Sequence, residues 1–219
     1  MARPRVLLTG FGPFPGVPEN PSGGLAETLA GRSSAFDCDL HVELLPTEWN
    51  AVAALMPRLH ADLQPDVMIH FGVSATATGL RIERSAHNRA ASRTDACGGL
   101  PDARAIAPDG AMRLDTALPV TSLAAHLRGS GHPANASRSC GRYLCNFLYY
   151  RSLAWAQMHG SHALFVHVPL THAQGGAVSQ DALLHAGHET LRFVLGAAAA
   201  HAAPRPAPAR TAHATEARQ

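Results

Sequence analysis

Four short apolar runs punctuate the chain: Arg5 to Leu8, Leu40 to Leu45, Asp66 to Phe71 and His162 to Val168. Each is nearly continuous rather than alternating, which predicts strands buried on both faces of a sheet. Between them the apolar spacing becomes helical. Asn20 is placed to cap a helix over Pro21 to Ala30, with Pro21 at the first helical position, where a missing N–H costs nothing. Thr47 is the expected cap of a second helix, Glu48 to Leu63, which Pro57 should kink or break. Strands alternating with helices predict an α/β fold with both sheet faces covered. Residues 88 to 119 follow neither period. They form a long irregular excursion of the kind that is usually functional or mobile.

The first strand runs into "TGFGPFPG", Thr9 to Gly16, which has the look of a nucleotide loop. A dinucleotide loop needs G-x-G-x-x-G with a helix opening on the phosphate, because the helix's free N–H groups bind it. Here Pro13 and Pro15 have no N–H to donate, and the helix begins only after Asn20. The loop instead offers Phe11 and Phe14 at the carboxyl end of a strand.

Composition narrows the chemistry further. The 219 residues are 46% apolar and suit one domain, and a net charge of +2 gives no case for nucleic acid or an acidic membrane surface. All 18 basic residues are arginine. Without lysine there is no P-loop lysine, no Schiff base and no Ser-x-x-Lys nucleophile. No apolar run reaches the ~20 residues of a membrane-spanning helix, and Arg3 and Arg5 precede too short a run for a signal-peptide core. A cytoplasmic protein is expected. Cys38, Cys97, Cys140 and Cys145 are irregularly spaced and read as free thiols. The fourteen histidines include the pairs His185/His188 and His159/His162, but no H-E-x-x-H or paired C-x-x-C accompanies them, so no metal site is expected. From Gly196 onward the sequence is low-complexity Ala, Pro and Arg. The expected boundary puts a domain at 1–196 and a tail at 197–219, with a helix persisting to about Ala203 and disorder beyond it.

Candidate chemistry concentrates in three places. In "SRSCGRYLCNFLYYRSLAWA", apolar positions from Gly141 onward give a helix buried on much of its circumference, with Cys145 in its first turn. The positive end of the helix dipole and its free N–H groups favour a thiolate there and can cradle an oxyanion. A small buried hydrophobe is the alternative for Cys145. His167 closes "ALFVHVP" at the carboxyl edge of the sheet, where open α/β sheets bind ligands; it is either a base for the thiol or a core histidine. Glu83 lies in "GLRIERSAHN" among the alternating polar positions, which by itself reads as an exposed edge strand.

Taken together and in order, "VLLTGFGPFPGVPENPS", "PDVMIHFGVSATATGLRIERSAHN", "GRYLCNFLYYRSL" and "FVHVPLTHAQ" resemble the pyroglutamyl peptidase I family, also called pyrrolidone-carboxylate peptidases, from about Val6 to Gln174. The resemblance implies a single-domain, three-layer α/β/α fold with a central mixed, mostly parallel sheet. It also implies a cysteine peptidase without a cofactor, acting on small peptides with an N-terminal pyroglutamate, and a homo-oligomer as in many family members. Cys145 matches the family nucleophile, His167 its base and Glu83 the acidic member. The resemblance gives Phe11, Phe14, Asn20, Thr47, Val73, Arg93, Thr94, Tyr143 and Leu144 as substrate-binding candidates. Three stretches depart from the family pattern. Ala77 stands where an arginine is usual, Thr94 replaces an apolar residue expected against the lactam ring, and Ser137 to Cys140 replaces "NTAG". Cys140 is not a family position and reads as structural. The altered pocket keeps open an inactive relative, or one acting on another cyclic or N-acyl amide.

Overall fold

The computed structural model describes residues 3–201. The chain forms strands β1 (Arg5–Phe11), β2 (Asp39–Leu45), β3 (Val67–Val73), β4 (Leu80–Glu83), β5 (Ser85–His87), β6 (Arg113–Asp115), β7 (Ala134–Ser137) and β8 (His162–Val168). Among the described residues, five α-helices accompany them: α1 (Pro21–Gly31), α2 (Trp49–Leu63), α3 (Val120–Gly129), α4 (Leu144–His159) and α5 (Gln180–His201). Six strands make one sheet in the order β2-β1-β3-β8-β4-β7, and β5 and β6 pair separately. β4 runs antiparallel to β8, while the other neighbours in the large sheet are parallel, giving the mixed, mostly parallel sheet.

Side-chain alternation explains why the strand sequences are apolar throughout. Val6, Leu8, Val67, Ile69, Leu164 and Val166 point to one face and bury against α1, α3 and α5. Leu7, Met68, Ala163 and Phe165 point to the other and bury against α2 and α4. Both faces are dry, so both sets of alternating positions must be apolar. The result is a single α/β/α domain.

Several local expectations change in the folded chain. Asn20 caps α1 as read, accepting from the Ser22 N–H at 3.1 Å. Thr47 does not cap α2. That helix starts at Trp49, whose N–H is taken at 2.9 Å by the Asp95 carboxylate, 46 residues further along the chain. Pro57 does not break α2; it lies exposed between the buried Met56 and Leu59, so the lost backbone bond falls on the solvent side, where a helix can curve. α5 continues to His201 with Ala198 buried, so the boundary expected at 196/197 falls inside a packed helix. The disordered tail expected after about Ala203 lies outside the described residues. No helix among the described residues is long and apolar enough to cross a membrane.

The excursion after β5 returns as β6 to pair with β5, and side chains tie down much of the rest. Asn88 donates to Ala107 O and Gly110 O and accepts from Ala107 N. Asn146, fully buried on α4, bonds the backbone of His87 and Arg89, and the Tyr150 hydroxyl reaches Ala111 O. The helix that carries Cys145 therefore also holds the excursion in place.

Candidate active site

The head of α4 presents Cys145. Tyr143 is the helix N-cap and supplies no side-chain acceptor, so the first-turn N–H groups remain free beside the half-buried thiol. Space for the sulfur comes from β3. A Cβ at Gly72 would lie 3.1 Å from Cys145 Sγ and 2.6 Å from Phe165 Cζ, and only a hydrogen fits there. Gly72 is the register partner of His167 on β8, so the thiol is set down next to that histidine.

His167 is nearly buried and bonds Glu83 Oε1 through Nδ1 at 2.8 Å. Because the carboxylate can only accept, Nδ1 carries the proton. The antiparallel pairing of β4 makes this possible. Arg81 and Glu83 are opposite His167 and Phe165 respectively, so the longer glutamate side chain reaches diagonally along the same face. Glu83 is fully buried in an interior strand, not on the exposed edge that its alternating sequence suggested. Arg81 flanks it at 3.6 Å and also donates to Ser137 Oγ. Burial pulls the His167 pKa down, but the adjacent Cys145 and Glu83, through hydrogen bonding and charge, outweigh it and raise the value to about 9.

Cys140 is buried next to the site. Burial, with Cys145 and Glu83 nearby, pushes its thiol well above the ordinary value, and Arg81 only partly opposes this, so Cys140 is an inert neutral neighbour.

The expected substrate-binding residues differ in burial and in how far their side chains are engaged within the protein. Phe11 is buried at the end of β1, and Phe14 sits half-buried in a tight turn that Val17 closes with two backbone bonds. Thr47 is buried and its hydroxyl has no protein partner, while its carbonyl accepts from Ala96 N. Tyr143 is half-buried, edge-on to Trp49 at 5.2 Å, and the Arg93 guanidinium lies over its ring at 4.8 Å. Thr94 is exposed and accepts the Tyr143 hydroxyl through its carbonyl. Val73 ends β3, half-buried. Asn20 uses its side chain within the protein, accepting from Ser22 and donating to Gly12 O. The Leu144 side chain is in the α2–α4 core, which leaves only its backbone to meet a ligand.

Sequence reasoning missed Gly72, Trp49 and Asp95. Trp49 packs on Tyr143 and donates to Arg93 O, and Asp95 folds the rim loop by accepting from Trp49, Cys97 and Gly99 N–H groups. A glycine closing an apolar strand was a visible signal of close approach; the other two have no local signal.

Among the described residues, no group of three or more His, Cys, Asp or Glu could hold a metal ion. A cavity of about 650 Å³ opens at the opposite, amino-terminal edge of β1 and β2, but its arginines, Arg3 and Arg5, pair with acidic neighbours and its lining includes none of Glu83, Cys145 and His167.

These features can be compared with known proteins. Residues 4–182 match the family model for pyroglutamyl peptidase. A pyrrolidone-carboxylate peptidase 1 of Ralstonia nicotianae is 34% identical over 186 residues, covering 83% of this chain and 86% of that protein. Human pyroglutamyl-peptidase 1 is 35% identical over 173 residues, 77% of this chain and 81% of its own. Among solved structures, pyroglutamyl peptidase I of Bacillus amyloliquefaciens superposes with a TM-score of 0.80 at 27% identity, covering 90% of this chain and 98% of that one. The pyrrolidone carboxyl peptidase of Fervidobacterium islandicum gives 0.82 at 27% identity over 88% and 98%. With family model, relatives and architecture in agreement over nearly the whole described chain, this protein belongs to the pyroglutamyl peptidase family of cysteine peptidases.

Proposed function

We propose that the chain hydrolyses the amide bond after an N-terminal pyroglutamate (5-oxoproline) of small peptides, with Cys145 as nucleophile, His167 as base and Glu83 as the acidic member. The observation that carries this reading is the 2.8 Å bond from His167 Nδ1 to the buried Glu83 carboxylate, made beside a thiol in the first turn of α4. Glu83 fixes the imidazole tautomer and leaves Nε2 to face the sulfur. With its pKa raised to about 9, His167 is able to hold the proton it takes from the Cys145 thiol as that sulfur attacks.

The thiolate attacks the pyroglutamyl carbonyl carbon, and the first-turn N–H groups of α4 receive the developing oxyanion. Arg93, parked on the Tyr143 ring, adds positive charge at that end of the helix. His167 gives its proton to the leaving amine as the C–N bond breaks, and a thioester remains. His167 then takes a proton from water, which attacks the thioester and releases pyroglutamate. Phe11, Phe14 and Tyr143 supply flat apolar walls for the lactam ring, with the unpartnered Thr47 hydroxyl as a polar contact. The free thiols suit a reducing compartment, and we place the enzyme in the cytoplasm.

The test is release of chromophore from a pyroglutamyl amide, with and without iodoacetamide. Release that stops on alkylation, and that falls by roughly 10³-fold or more in Cys145→Ser, is expected. Wild-type release by Cys145→Ser overturns the assignment.

A further inference from the structure

Cys145 and Tyr149 are one helical turn apart on α4 and so share a face. The upper position delivers the thiol. The lower one delivers a fully buried phenol whose hydroxyl donates to the backbone carbonyl of Glu83 at 2.9 Å. Thr116 and the backbone of Phe165 neighbour the same oxygen, and the two rings pack at 5.9 Å. Phe165 is both the register partner of Glu83 and two residues before His167. One hydroxyl thus joins the three elements that carry the three triad members.

The position of this joint matters because Glu83 is the last residue of β4. The β4–β8 pairing ends there, and the chain then turns away to start β5 at Ser85. A strand terminus frays more readily than a strand centre. Here the terminal residue carries the carboxylate that orients the base, and its carbonyl is tied to the same helix that positions the nucleophile.

We propose that Tyr149 is a positioning residue of the triad, acting through the Glu83 backbone to set the carboxylate against His167. It does not touch substrate, and its hydroxyl keeps its proton: burial first, then nearby Cys140, hold the phenol well above its ordinary range. This inference rests on the triad reading above.

The experiment measures the pH dependence of Cys145 alkylation by iodoacetamide in the full chain, in wild type, Tyr149→Phe, Glu83→Gln and the double variant, with melting temperature followed in parallel. Tyr149→Met, which also removes the hydroxyl while keeping apolar bulk, is made alongside. Loss of the hydroxyl should move the basic limb of the profile to lower pH, because an imidazole with a looser carboxylate holds its proton less well, and kcat should fall about tenfold. In the Glu83→Gln background the same loss should change neither the limb nor the alkylation rate further, since the partner it acts through is already gone. A purely structural tyrosine would lower the melting temperature and leave the limb in place in both backgrounds, which overturns the proposal. An equal further shift in the Glu83→Gln background overturns it as well. If Glu83→Gln itself leaves the profile unchanged, the triad reading fails and this inference fails with it; if Glu83→Gln shifts the profile and both Tyr149 variants do not, only the inference about Tyr149 fails.

Discussion

Replacing Gly72 with alanine tests the geometry of the site without removing any reacting group. The added Cβ would come within 2.6 Å of Phe165 Cζ, 3.1 Å of Phe165 Cε1 and 3.1 Å of Cys145 Sγ. Ordinary carbon contacts are about 3.5–4.0 Å, so the ring must retreat by roughly 1 Å and the sulfur by roughly half that. The ring has little freedom: Phe165 is fully buried, with Tyr149 at 5.9 Å, His70 at 6.3 Å and His167 at 4.9 Å between ring centroids. Overpacking of this kind costs about 1–3 kcal/mol, which at about 2–4 °C per kcal/mol lowers the melting temperature by several degrees. Activity should suffer more. A misplacement of about 1 Å in a reacting group can cost 10²-fold, so a shift of half that should reduce kcat by about 10-fold or more on a chromogenic pyroglutamyl amide. Adding Phe165→Leu relieves the ring contact and leaves the sulfur contact, so the double variant should regain stability without regaining kcat. A Gly72→Ala enzyme with kcat within about twofold of wild type would refute the claim that the missing side chain positions the thiol.

Other predictions follow from the rim and the interior. Asp95→Ala removes the acceptor for three N–H groups, including the first of α2; loss of the cap should cost about 1 kcal/mol in chemical denaturation, and KM should rise because the loop bearing Arg93 and Thr94 loosens. Phe14→Ala should raise KM for pyroglutamyl amides with little change in melting temperature, since the side chain is only half-buried on a tight turn; an unchanged KM rules out the ring as a pocket wall. Burial lowers His70 to about 3, with His60 adding to it, and burial lowers His60 to about 4, with Arg151 and His159 adding to it. Both are below the ordinary value near 6.5, so the unfolded chain binds more protons than the folded one under acid conditions. The stability that these two neutral histidines contribute should therefore be complete above pH 6.5 and be lost as pH falls toward 4 and then 3, with a shallower decline in His70→Gln; equal slopes by urea denaturation would contradict this.

What the sequence discloses about this site depends on whether the cause is local. Asn20 as a cap, β8 and the Cys145 helix were legible because caps, continuous apolar runs and helical periods are written within a few residues. Glu83 was misread from its own stretch because alternation reports two unlike faces without saying which one is wet; only the cover of α4 and the reversed pairing of β4 bury the polar face against His167. Family motifs supplied that assignment when periodicity could not. Asp95 as the cap of α2 was invisible, since its partner is 46 residues away. β5, β6 and β7 have three or four residues each, too few to show a period. Nothing local to Tyr149 marks its hydroxyl as tied to Glu83, 66 residues away.

The strand order has a consequence in time as well as in space. β3 and β4 are separated by only six residues, yet β8, made some eighty residues later, lies between them. Before β8 emerges, β4 can pair with β7 but has no route to the rest of the sheet, and the edge of β3 is open. Closing that gap joins Glu83 to His167 in the same event that completes the sheet. Long-range closures of this type are slow and late in folding. A growing chain therefore holds Cys145 without His167 until synthesis passes Val168, and the two side chains meet only as the sheet is completed.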